Sequence, residues 1–166
     1  MKKILLLSVL FISSLCFSQI EQTMTLGEGT SSSATRGPFQ RSNTGSSSTI
    51  SHANLVYTGD ELSNLTSSAT ISGINFDLGS TNIINATGDA FMRIYMKNSS
   101  VTEATTVADW TTHISGFTLV GTYTFNTTTN FPGSEGFLSF DLDSDFDYTG
   151  GALEVAVEWD LSLIHI

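Results

Sequence analysis

FLSFDLDSDFDYTGGALEVAVEW, residues Phe137–Trp159, is the stretch whose reading decides the fold. In its second half, Leu153, Val155, Val157 and Trp159 alternate with Ala152, Glu154, Ala156 and Glu158. A period of two places one set in a core and the other in water, as a half-buried strand does. In the first half the even positions carry Leu138, Phe140, Leu142, Phe146 and Tyr148, and the odd ones Ser139, Asp141, Asp143, Asp145 and Asp147. Gly150-Gly151 between them tolerates positive φ on both central residues, so the stretch reads as a β-hairpin.

The rest of the chain repeats the theme. Ile50 to Tyr57, Ala69 to Leu78, Ala90 to Lys97 and Phe117 to Phe125 each alternate, and Gln22 to Leu26 is a further short candidate. Ala90, Met92, Ile94 and Met96 form a purely apolar face, whereas Phe91, Arg93, Tyr95 and Lys97 form an amphipathic one, as in a central strand partly covered by long side chains. Phe117, Leu119, Gly121, Tyr123 and Phe125 are expected to share a face. Val101 to His113 is the only helix candidate, a weak one because Thr and Val are poor helix formers, with Trp110 expected to plug one end of the core. Strands at intervals near ten residues with turn-rich connections predict an all-β fold: an antiparallel β-sandwich, jelly-roll-like. The expected core holds Phe76, Met92, Ile94, Phe140, Leu153, Val155 and Val157.

The 166 residues allow one domain. Met1-Lys2-Lys3, the apolar run Ile4 to Ile12 and the small residues to Ser18 read as a secretory signal peptide over residues 1–18, too short in its apolar part to span a bilayer. Ser13 and Leu15 stand in the wrong order for a lipoprotein cleavage before Cys16. That cysteine, the only one, leaves with the signal, so no disulfide is available to the exported chain. Without Lys2 and Lys3, four basic residues face sixteen acidic ones, a net charge of −12. Such a surface repels nucleic acid and anionic lipid and suits cations or solubility outside the cell. The expected location is secreted or on the outer cell surface, with no transmembrane segment after signal cleavage. Leu161 to Ile166 breaks the alternation and matches the translation of CTGTCTCTTATACACATC, which looks like a transposon-end sequencing adapter. The sandwich is therefore expected over residues 19–160, incomplete at its C-terminal end, with residues 161–166 not native.

Phe91 to Asn98 (FMRIYMKN), Leu119-Val-Gly-Thr-Tyr123 and Leu142 to Val157 (LDSDFDYTGGALEVAV) resemble, in order and spacing, the jelly-roll modules of large secreted and cell-surface proteins of the Bacteroidetes. The closing segment there resembles L-D-x-P-F-x-Y-x-G-G-x-L-x-V-x-V. Asp145 stands where those modules usually carry proline. The resemblance implies an adhesion-like or carbohydrate-facing module, sorted through a C-terminal signal by a dedicated secretion system, with no shared catalytic residues.

Candidate chemistry is sparse. A straight Asp141 to Asp147 strand spreads its ends over roughly 20 Å, too far for one ion. A bend near Ser144 puts Asp143, Asp145, Asp147 and Glu154 at positions 1, 3, 5 and 12 of a calcium-loop spacing, with Tyr148 where that loop wants glycine. The alternative is an acidic strand face that discourages edge-to-edge pairing. No Ser stands in a G-x-S-x-G elbow and no His or Cys cluster has zinc spacing, so no catalytic residue is assigned. Tyr57, Tyr95, Trp110, Tyr123 and Trp159 are candidates for a sugar-stacking platform, with Tyr95 its expected exposed member; the alternative, favoured for aromatics on buried strands, is that they belong to the core. The expected function is a non-catalytic extracellular binding or adhesion module, its partner an extracellular protein or glycan and its one possible cofactor calcium. The alternative is the accessory carbohydrate- or substrate-binding domain of a secreted hydrolase.

Overall fold

The computed structural model describes Met24, Leu26 and residues 50–78, 89–126 and 136–160. The expected signal segment and residues 161–166 lie outside these residues. Among the described residues six strands form: β1 (Ile50–Tyr57), β2 (Thr70–Leu78), β3 (Asp89–Ser99), β4 (Thr118–Asn126), β5 (Gly136–Asp147) and β6 (Ala152–Asp160). A short helix, α1 (Trp110–Ile114), lies between β3 and β4. The strands make two antiparallel sheets, one in the order β1-β6-β3-β4 and the other of β2 and β5. Both sheets contribute to one apolar cluster: Met92, Ile94, Met96, Val120, Val155, Val157 and Trp159 from the first, Phe76, Phe140 and Phe146 from the second. The fold is all-β and sandwich-like, and all seven expected core residues are buried. Met24 and Leu26 pack against this cluster, although neither is in a strand.

The hairpin reading of Phe137–Trp159 is corrected by the pairing. β5 pairs with β2, whereas β6 runs between β1 and β3. Gly150 and Gly151, at φ +96° and +81°, do turn the chain, but from one sheet into the other. Side chains hold this corner where no ladder does. Asn98 of β3 donates through Nδ2 to the Asp147 carbonyl at 2.9 Å and accepts from Thr149 N at 3.0 Å. The Tyr148 hydroxyl donates to the Gly151 carbonyl at 2.6 Å, and Tyr148 N to the Ala69 carbonyl at 2.9 Å.

A second correction follows from the same topology. The Ala152–Glu158 face of β6 is not in water. A strand flanked on both sides and covered on both faces buries both sets of side chains; Ala156 is fully buried and Glu154 only 4% exposed. The cover is the segment between β3 and β4, and Trp110 lies on this outer face rather than plugging the core.

Two irregularities change face parity. Between Ile94 and Tyr95 the β3–β4 register shifts, leaving Val120 as the extra residue of a bulge. Val120 is therefore buried and Leu119 is 47% exposed, so the shared face expected from Phe117 to Phe125 is broken at the bulge. In β2–β5, Ile71 pairs with Phe146 and Gly73 with Asp141, a slip of three residues across Leu142–Asp145. It falls where the bend near Ser144 was expected.

Candidate functional site

The expected calcium ligands are not gathered by that slip. Asp143 turns to β4 and accepts from Thr122 N at 2.7 Å. Asp147 accepts from the Thr70 hydroxyl at 3.3 Å, and Asp145 is exposed. Glu154 belongs to the other sheet, 2.9 Å from Lys97 Nζ. Among the described residues no three His, Cys, Asp or Glu side chains are placed to hold one metal ion. The calcium-loop spacing is a distance along the sequence, but the corner at Gly150-Gly151 carries Glu154 into another sheet.

The chemistry-bearing surface is instead the outer face of the four-stranded sheet. The register sets His52 beside Glu158 beside Arg93 in one row, Asn54 beside Ala156 beside Tyr95 in the next, and Val56 beside Glu154 beside Lys97 in a third. Each glutamate of the central strand thus meets a cation of β3. Arg93 pairs with Glu158 through Nη1, and Lys97 with Glu154. Removing carboxylates from water is tolerable only with such partners. Asn54 Nδ2 adds a 3.4 Å contact to Glu154 Oε2. Burial alone would raise the Glu154 pKa, yet hydrogen bonds from Lys97, Ser99 and Asn54 outweigh it and leave the pKa lowered.

The segment before α1 fixes Trp110 onto this layer. Asp109 takes the N-cap position and accepts from Thr112 N at 2.7 Å, the usual satisfaction of a first-turn donor. Trp110 Nε1 then donates to Glu158 Oε2 at 2.8 Å. Its ring stacks on His52 at 4.1 Å and 6°, and Tyr95 meets it edge-on at 6.4 Å. His113 and Phe117 extend the aromatic row, with Lys97 Nζ 4.9 Å above the Phe117 ring. Burial lowers the His52 pKa more than Glu158 and Asp160 raise it. The 3.8 Å approach of His52 Nε2 to Glu158 is therefore that of a neutral imidazole at neutral pH.

A cleft of about 470 Å³ opens beside this stack, lined by His52, Asn54, Thr105, Val107, Ala108, Asp109 and Trp110. Tyr95, the expected ligand-contacting aromatic, is half-buried and is not among the lining residues. His52, Asn54 and Asp109 were not singled out by the sequence. A usable signal was there: Arg93 and Lys97 repeat at the same spacing as Glu154 and Glu158, a charge match between neighbouring central strands.

No family model, no characterised protein and no solved structure matches the chain. Glu158 meets Arg93 and Trp110, Glu154 meets Lys97, and Asp109 caps α1 through Oδ1. What remains toward the cleft is an aromatic wall, an amide and one charged rim.

Proposed function

We propose that the chain is a non-catalytic extracellular binding module of a secreted or surface-attached protein, in keeping with its jelly-roll resemblance. The observation that carries this reading is the cleft beside Trp110. It is a concave site whose Trp110 wall is held from below by Glu158. The export expected from residues 1–18 and the acidic surface support an extracellular partner, a glycan or a protein, and disfavour nucleic acid. Among the described residues no helix is long and apolar enough to cross a membrane.

The test is a binding screen of the folded chain against arrayed glycans and extracellular proteins, repeated with Trp110→Ala. Wild type should retain a ligand, the variant at least tenfold less, and the ligand should be recovered chemically intact. Retention that ignores Trp110→Ala, or a ligand returned cleaved, overturns the reading.

A further inference from the structure

The cleft has an unusual inventory of hydrogen-bonding groups. Its two strongest side-chain donors are spent on the layer beneath: Trp110 Nε1 on Glu158 and Asn54 Nδ2 on Glu154. His52 Nε2 lies 3.8 Å from Glu158, beyond hydrogen-bond reach. Asp109 stands fully exposed at the rim, kept ionised by the hydrogen bonds of Thr112, which lower its pKa, and among the described residues no Lys or Arg pairs with it. The Asn54 carbonyl oxygen is buried without a hydrogen-bond partner. The lining therefore brings a carboxylate and aromatic rings to the cleft, and no Lys or Arg.

This inventory separates ligand classes. A sulfate or carboxylate needs donors and would meet Asp109 instead. A neutral sugar hydroxyl gains nothing from the Asp109 charge. A primary ammonium gives three donors and accepts none, and it is attracted by carboxylates and by the face of an indole. The negative net charge of the whole chain favours its approach.

We propose, resting on the binding reading above, that the cleft between β1 and the Thr105–Trp110 segment recognises a primary ammonium group, with Asp109 as its counter-ion and Trp110 and His52 as its aromatic wall. The ammonium could be borne by an amino sugar or by a lysine side chain, and the two are told apart by experiment.

The experiment titrates the full chain with glucosamine, N-acetylglucosamine and N-acetyl-lysine amide, reading backbone and indole NMR shifts and heats of binding. Glucosamine or the lysine amide should move the signals of His52, Asn54 and Trp110, and N-acetylglucosamine, its amine blocked, should bind at least tenfold more weakly. Asp109→Asn keeps a good N-cap and removes only the charge, so it should weaken amine binding about tenfold. Asp145→Asn, on the other sheet, should leave it unchanged. A tenfold preference between the two amines assigns the source. N-acetylglucosamine binding as well as glucosamine, or Asp109→Asn without effect, overturns the ammonium assignment while the binding reading stands. No response at the cleft to these probes or to any ligand of the screen overturns both.

Discussion

Tyr123 lies across Gly121. A methyl group built on Gly121 would clash with the Tyr123 hydroxyl and sit 2.7 Å from its ring. The ring covers the bare backbone of β4, packs against Phe140 at 4.9 Å, and donates its hydroxyl to the Asp141 carbonyl at 2.6 Å. It therefore ties β4 to β5, which belong to different sheets. Burial, with Asp143 and Asp141 adding to it, pushes the Tyr123 pKa up to about 12. Gly121→Ala is expected to displace the ring and lower stability by about 1–3 kcal/mol. Urea unfolding is the check, and Gly121→Ala with Tyr123→Leu should lose less than the two single changes added together.

Asn98 is expected to matter more than its half-buried, polar character suggests. Asn98→Ala removes both bonds to the Gly150-Gly151 corner and leaves the Asp147 carbonyl and Thr149 N without these partners. The expected cost is about 1–3 kcal/mol in chemical denaturation. An equal Tm for the variant and wild type would contradict the assigned role.

Lys97→Met leaves Glu154 in its buried place without its cation. Destabilisation of about 1–3 kcal/mol is expected, recovered in part by adding Glu154→Leu. The Glu154 pKa is lowered from 4.5 in the fold, so the unfolded chain takes up the proton first. Its contribution is complete above about pH 4.5 and is lost as pH falls through the lowered value. Stability measured from pH 6 to 3 should fall less steeply in the double variant.

His52 acts in a higher window. Its pKa is lowered from 6.5, so protonation favours the unfolded chain. Stability is expected to be full above about pH 6.5 and to decline as pH falls through the folded value. His52→Asn should flatten that part of the Tm profile between pH 7.5 and 5. An unchanged slope would show that the imidazole titrates no differently in the fold.

Calcium at millimolar concentration is expected to leave the Tm unchanged, and Asp145→Asn to make no difference to that result. A shift of several degrees abolished by Asp145→Asn would require the carboxylates of β5 to be gathered in a way that the strand does not place them.

The strands and the core could be read from period-two alternation because burial acts on each strand separately. Leu153, Val155, Val157 and Trp159 point inward whichever strand is beside them. Pairing partners depend on the whole chain, and there the reading failed: Gly150-Gly151 suits a hairpin and a sheet-crossing corner equally, since both need positive φ. Val120 and Leu119 exchanged roles because a bulge has no signature in composition. The cleft was hidden for another reason. Its residues come from β1 and from a segment of low helix propensity, and Trp110, held by Glu158 from β6 and stacked on His52, brings them together.

The place of β6 in the sheet also constrains the order of folding. Its partners are β1, about a hundred residues earlier, and β3, so the middle of the four-stranded sheet is filled by the last of the described strands to be synthesised. Until residues 152–160 leave the ribosome, β1 has no neighbour and the β3–β4 pair has one open side. Such sequence-distant pairing makes formation slow. The four-stranded sheet thus closes around its last-made described strand, and a product that stops short of β6 leaves β1 without that partner.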